Sequence, residues 1–290
     1  MSGVIDVHPH VIASDTARYP LSPLGGHQSD WSRDRPVSAE RMLAAMDEAG
    51  VSKSVLVQAS TCYSHDNSYV ADSVAAHPGR FAGVFSVDMA SPDAPERIEH
   101  WLKKGLSGLR VFIAGHTTAA KDASLDDPRA LPAWGMAEAF HIPVCVQLRA
   151  AGLPQLVRVL ERFPEIRIIL DHMARPALED GPPYASASSL FALARYPNLY
   201  LKLTTHNVRD SRQGKATPQS FFARIVDAFG AGRIAWGSNY PASEGTLAAL
   251  LAEARSALSG LPREDQDAIF FRTARSLYPR LAESREGVRT

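Results

Sequence analysis

Three clusters of polar side chains stand where apolar runs end. Asp6-Val7-His8-Pro9-His10 closes a short run near the N-terminus, Asp171-His172 closes Ile168-Ile169-Leu170, and Asn239 follows Ile234-Ala235-Trp236-Gly237-Ser238. The two-residue period of an extended chain puts Asp6, His8 and His10 on one face. Neutral imidazoles gathered there can ligate a metal ion such as zinc or act as general acid or base near neutral pH. The plainer alternative is that the paired histidines are capped and solvated, that His172 is structural, and that Asp171 caps a loop.

Arginines supply a second theme. Arg110 lies inside the apolar run Gly108 to Phe112. Its planar guanidinium suits a two-bonded grip on a substrate carboxylate, or a pairing with an acid inside the fold. Arg149 ends another run and Arg175 follows His172, so the spacing suggests a cationic rim for an anionic ligand. Tyr63, His65, Gln147, Thr204 and His206 also fall at or near run ends and are candidate pocket residues.

Elements able to bring such distant residues together are visible as alternation. Eight short strand-like runs, Val4 to Val7, Ser54 to Val57, Ala82 to Val87, Gly108 to Phe112, Pro143 to Gln147, Arg167 to Leu170, Leu199 to Leu203 and Arg233 to Trp236, are separated by helix-period stretches. Strands alternating with helices imply parallel βα units, and eight units imply a (β/α)₈ TIM barrel, an α/β fold. In Ser38 to Ala49, Met42, Leu43 and Met46 form the apolar stripe and Ser38 is the expected N-cap. Further helices are expected over Asn67 to Ala76, Ala94 to Lys104, Leu131 to Phe140, Pro154 to Arg162, Ser188 to Ala194, Pro218 to Phe229 and Thr246 to Leu258. A last helix from Arg263 to Leu281 is expected to close the bottom or side of the barrel. Long irregular pieces, Ile12 to Val37, Ala114 to Ala130 and Met173 to Ala187, follow the first, fourth and sixth strands, where loops wall a barrel active site.

At 290 residues with 45% hydrophobic side chains, the chain is long enough for one large barrel and its core. We expect residues 1–290 to form a single domain, since no repeat or linker divides them. Thirty-one basic residues balance 31 acidic ones, leaving no overall field to attract nucleic acid or an anionic membrane. No run approaches the roughly 20 apolar residues of a membrane span, and the first ten residues carry no leader pattern. The expected partner is a small molecule and the expected compartment the cytoplasm; two isolated cysteines, Cys62 and Cys145, read as free thiols and agree with it. Exposed barrel helices are also compatible with a homodimer.

Taken in order, DxHxH after strand one, LDH at strand six and WGSNYP at strand eight resemble the amidohydrolase-2 group of TIM-barrel hydrolases, especially the branch related to 2-pyrone-4,6-dicarboxylate lactonase. The resemblance extends through Gln58, Tyr63 to Asn67, His77 to Phe81 and Gly108-Leu109-Arg110, from about residue 4 to 280. It implies that His8, His10 and His172 surround the reacting carbonyl, that Arg110 binds a carboxylate, and that the reaction serves aromatic catabolism. It also implies a divalent metal, zinc or manganese, on His8, His10 and His172, although the branch includes lactonases that work without one. One position departs from the pattern: the family usually has an aspartate where this chain has Asn239, and an amide has no useful basicity. Asn239 would then position water while a histidine acts as base, or stand as an engineered replacement, or mark lost hydrolysis.

Three functions follow as expectations. The leading one is a hydrolase that opens a small carboxylated lactone or related cyclic ester by water attack. The second is a metal-dependent decarboxylase of the same superfamily, disfavoured because decarboxylases commonly carry a glutamate where Asp6 stands. The third is a carboxylate-binding barrel without catalysis, for which Asn239 is the argument.

Overall fold

The computed structural model describes residues 3–113 and 124–281. The loop expected over 114–130 therefore lies outside the described residues for its first part, 114–123.

Eight strands form one parallel sheet whose spatial order is the chain order: β1 (Val4–Asp6), β2 (Val51–Val57), β3 (Phe81–Ser86), β4 (Gly108–Phe112), β5 (Val144–Gln147), β6 (Ile168–Leu170), β7 (Leu199–Thr204) and β8 (Ile234–Gly237). The Val7 amide donates to the Trp236 carbonyl at 3.1 Å, joining the last strand to the first and completing the (β/α)₈ barrel. Strand period two then sorts the side chains. Ile5, Val55, Val57, Ala82, Val84, Cys145, Ile169 and Ala235 fill the interior, while Val4, Leu56, Phe85, Leu109, Val144, Leu201 and Trp236 face the surrounding helices. Both faces are buried, which explains why the strands read as continuous apolar runs rather than alternating ones.

Helices Ala39–Ala49, Ser68–Ala76, Ala94–Lys103, Leu131–Ala139, Leu153–Arg162, Pro218–Phe229 and Leu247–Ala257 lie where the sequence placed them. Ser38 caps the first, its side chain accepting from the Arg41 amide, and Gly50 ends it in the left-handed conformation that glycine adopts without strain. The stretch expected as a helix over Ser188 to Ala194 is α-helical only over Ser188–Phe191 and tightens to a 3₁₀ turn over Ala192–Arg195. The final segment is likewise not one helix: a π turn, Ala268–Arg272, separates Arg263–Asp267 from Thr273–Leu277, and Pro279 stops the helix. It does close the barrel floor, where Ala274, Leu277 and Tyr278 join the interior cluster.

Three short helices after strand ends, Asp30–Asp34, Ser60–Tyr63 and Thr205–Asp210, carry no periodic signal because four to six residues cannot display an amphipathic face. All three contribute to the rim above the strands.

Candidate active site

At the end of β1 the simple period fails. Ile5 and Val7 are the interior residues, so Asp6 occupies the opposite side of the strand. Its Oδ1 accepts from the amides of His8 at 3.0 Å and Ser238 at 2.8 Å, tying β1 to β8. The expectation that Asp6, His8 and His10 share one face is thus corrected: the chain bends at Val7, and beyond the bend the His8 ring enters the barrel. Burial pushes the Asp6 carboxyl up to about 6. Gly237 is needed at this crossing, since a Cβ there would lie 2.6 Å from that of His8.

His8 meets His10 with ring centroids 5.0 Å apart and His172 with centroids 4.9 Å apart, so the three histidines from β1 and β6 do converge. His172 opens a run of left-handed residues, His172, Met173, Ala174 and Arg175, at φ 55, 53, 58 and 49°. For side chains other than glycine this costs roughly 1–2 kcal/mol per residue. The turn is held by Asn207, whose Nδ2 donates to the His172 carbonyl at 2.8 Å.

Beneath the histidines lies a buried charge network. Asp171, fully enclosed, pairs with Lys202 Nζ at 2.7 Å and with Arg110 Nε at 2.9 Å. Burial would raise its carboxyl, but Lys202 and Arg110 outweigh burial and hold it well below the ordinary carboxylate range. Arg110 also donates from Nη2 to Gln147 Oε1 at 2.8 Å. Its Nε edge is therefore spent inside the protein, and the two-bonded grip on a substrate carboxylate expected for Arg110 is not available there.

Hydrogen bonds at each Nδ1 define what the rings present elsewhere. His10 Nδ1 lies 2.9 Å from the Val57 carbonyl, which can only accept, so its Nε2 carries a lone pair. His172 Nδ1 lies 2.9 Å from Thr204 Oγ1, and that hydroxyl donates to Asn207 Oδ1, so His172 also presents an Nε2 lone pair. Burial keeps all three rings neutral: His10 is pushed down to about 3, His8 and His172 far below the usual range.

A cavity of about 310 Å³ opens above this network, with His10, Trp31, Gln58, Arg110, Gln147, Arg149, His172, Arg175, His206 and Asn239 in its wall. Arg175 is paired with Asp210, through Nε at 3.2 Å and Nη2 at 3.1 Å. Arg149 is exposed, and among the described residues no carboxylate lies within ion-pair distance of it. Asn239, at φ 58°, has its Nδ2 3.1 Å from Ser243 Oγ and 3.4 Å from His206 Nε2. Asparagine and aspartate both tolerate this backbone region, so the turn does not explain the amide. Burial, then Arg175, push His206 down to about 4, which leaves its ring neutral at pH 7.

Three of the expected pocket residues do not reach this wall. Tyr63 is buried with its hydroxyl accepting from the Ala13 amide at 2.7 Å, pinning the loop after β1. His65 is bonded to Ser86 Oγ at 3.1 Å and stacked on Phe112. Thr204 stands one layer back, behind His172. Lys202 was missed, although the signal was present: a lysine within Leu199-Tyr200-Leu201-Lys202-Leu203 falls on the inward face with Thr204. Asp171 was seen only as an alternative cap.

His8, Asp171 and His172 offer ligand atoms within 4.8 Å of one another, and His8 Nε2 is buried without a hydrogen-bond partner among the described residues. The Nε2 lone pairs left on His10 and His172, both in the cavity wall, fit a divalent metal. His10 and His172, with Asp171 behind them, are the residues that would hold it.

A buried histidine and acid cluster at the C-terminal mouth of a (β/α)₈ barrel defines a hydrolase of the amidohydrolase type. The chain belongs to the amidohydrolase family, whose family model matches residues 5–280. It is 30% identical to an L-fucono-1,5-lactonase of Burkholderia ambifaria over 82% of this chain and 80% of that protein. A 4-sulfomuconolactone hydrolase of Hydrogenophaga intermedia is 27% identical over 83% of this chain and 75% of its own length. Among solved structures, a Pseudomonas putida protein assigned as a 2-pyrone-4,6-dicarboxylic acid hydrolase superposes with a TM-score of 0.77 at 20% identity, covering 98% of this chain and all of that one.

Proposed function

We propose that this chain opens a small lactone ring bearing a carboxylate, by attack of water on the ring carbonyl. The carrying observation is the cavity itself, whose wall combines Arg149, a guanidinium without a carboxylate partner among the described residues, with neutral imidazoles and Arg110. The two lactone hydrolases among its relatives support the reaction class. The cavity volume of about 310 Å³ suits a single substituted ring.

In this reading Arg149 holds the substrate carboxylate at the rim. Arg110, whose Nη1 has no partner among the described residues, faces the carbonyl oxygen and stabilises the negative charge that develops there. A divalent metal, when bound at His10 and His172, supplies Lewis-acid polarisation of the same carbonyl. Asn239 Oδ1 accepts from the attacking water and orients it. The proton of that water passes to His206, the neutral imidazole 3.4 Å from the Asn239 amide. Water oxygen bonds to carbon, the ring C–O bond breaks, and the leaving oxygen takes from His206 the proton that the water gave up, to give an open-chain hydroxy acid. Arg149 and Arg175 both depress His206, so an anion seated on Arg149 restores basicity as it binds.

Decarboxylation has less support, because the first-strand acid, Asp6, is turned to the β1 and β8 seam, where its Oδ1 accepts from two backbone amides. Both cysteines are buried free thiols, in keeping with the cytoplasmic setting we infer. No helix among the described residues is long and apolar enough to cross a membrane. The test is hydrolysis of a panel of carboxylated and neutral lactones, monitored by proton release, with His206→Gln as control. We expect turnover of carboxylated lactones and a loss of roughly 10²-fold or more in kcat for the variant. Absence of turnover across the panel refutes the reading.

A further inference from the structure

The mechanism above leaves Lys202 without a task, yet its setting resembles that of a bound metal more than that of a structural lysine. Its side chain is fully enclosed on β7, and its nitrogen has three neighbours: Asp171 Oδ1 at 2.7 Å, His8 Nδ1 at 2.9 Å and Cys145 Sγ at 3.2 Å. Carboxylate, imidazole and thiol are the donor types that hold zinc. His8 Nδ1 and Cys145 Sγ are its hydrogen-bond partners, and Asp171 Oδ1 is its ion-pair partner.

An ammonium has no lone pair, so in the contact with Lys202 it is His8 Nδ1 that accepts. A neutral imidazole that accepts at Nδ1 carries its hydrogen at Nε2, the atom found buried without a partner. His10 and His172 are fixed the other way round, by Val57 and Thr204. Spacing alone groups His8 with Asp171 and His172 as a cage, but the hydrogen sits on the nitrogen His8 would need for ligation.

We propose that Lys202 is a resident cation that occupies the base of the site in place of a metal ion and removes His8 from the ligand set, leaving it as a hydrogen-bond donor. A divalent metal is then held nearer the cavity by His10 and His172, and weakly, because one imidazole is withdrawn and a fixed positive charge lies behind. The proposal concerns the cations of the site and stands whether or not a lactone is the substrate.

The first test needs no substitution. In the metal-free, full-length protein labelled with ¹⁵N-histidine, long-range proton–nitrogen correlation reads which ring nitrogen carries hydrogen. One ring of the three, His8, is expected with hydrogen at Nε2, and His10 and His172 with hydrogen at Nδ1. Hydrogen at Nδ1 on all three overturns the proposal. Adding zinc should then perturb the His10 and His172 signals and spare the His8 ring nitrogens; a coordination shift at His8 overturns it. In Lys202→Met, zinc affinity measured against a chromophoric chelator should rise on the order of tenfold or more. Unchanged or weaker zinc binding in a folded variant counts against it, and if the variant does not fold the wild-type measurements decide.

Discussion

Two arginines that sequence treated alike are placed by the fold in opposite energetic positions, and substituting each to alanine separates them. Arg149 is exposed and unpaired among the described residues, so Arg149→Ala should change stability by no more than about 0.5 kcal/mol. Removing a charge-assisted hydrogen bond to substrate costs about 1.5–3 kcal/mol, and each 1.4 kcal/mol is tenfold, so KM for a carboxylated lactone should rise roughly 10- to 150-fold. Arg110 is 7% exposed and shares Asp171 with Lys202. Arg110→Ala breaks a buried pair and leaves Gln147 Oε1 without its donor, at a cost of about 3–5 kcal/mol in folding. The assay combines steady-state hydrolysis of an acidic lactone and its neutral methyl ester with urea unfolding of both variants. Arg149→Ala should raise KM for the acid and spare the ester. Equal effects on both, or none on either, refute the assignment of Arg149 to the carboxylate.

Further outcomes follow from the same geometry. Asn239→Asp places a basic carboxylate beside the water and should raise kcat about tenfold or more at pH 7; no change would mean that proton transfer does not limit the wild type. Acid should destabilise the fold. His8, His10 and His172 have folded values below 6.5, so the unfolded chain takes up protons that the folded chain refuses. Their stabilisation is complete above pH 6.5 and is lost as pH falls toward about 3 for His10. Asp6, raised to about 6, opposes this trend below that pH, but one carboxyl does not offset three imidazoles. The urea midpoint should therefore fall between pH 7.5 and 5, and a flat or rising midpoint contradicts the burial argument. Thr204→Val removes the acceptor that orients His172 and should lower kcat/KM by roughly 10- to 100-fold with KM little changed, whereas a purely packing role would alter the urea midpoint instead.

What the chain alone determined is considerable, and the reason is periodicity. A strand buried on both faces must be apolar along its whole length, so eight such runs, each followed by a helix-period stretch, specify a parallel barrel before any coordinate is known. Polar residues that interrupt those runs at their C-terminal ends, His8, His10, His172 and Asn239, could be assigned to one rim for the same reason. Tertiary structure decided matters of direction and pairing. Only the bend at Val7 brings His8 into the barrel, and only the closed barrel shows that Arg110 is committed to Asp171 and Gln147 while Arg149 has no carboxylate partner among the described residues. Tyr63 and His65, polar residues near a strand end like the others, proved to anchor a loop and to pair with β3. Lys202 was readable as an inward lysine, but its meaning depends on three partners drawn from β1, β5 and the end of β6. Distance along the chain carries no information about such partners, because hydrogen bonds and ion pairs act over a few ångströms of space that only the closed barrel brings about.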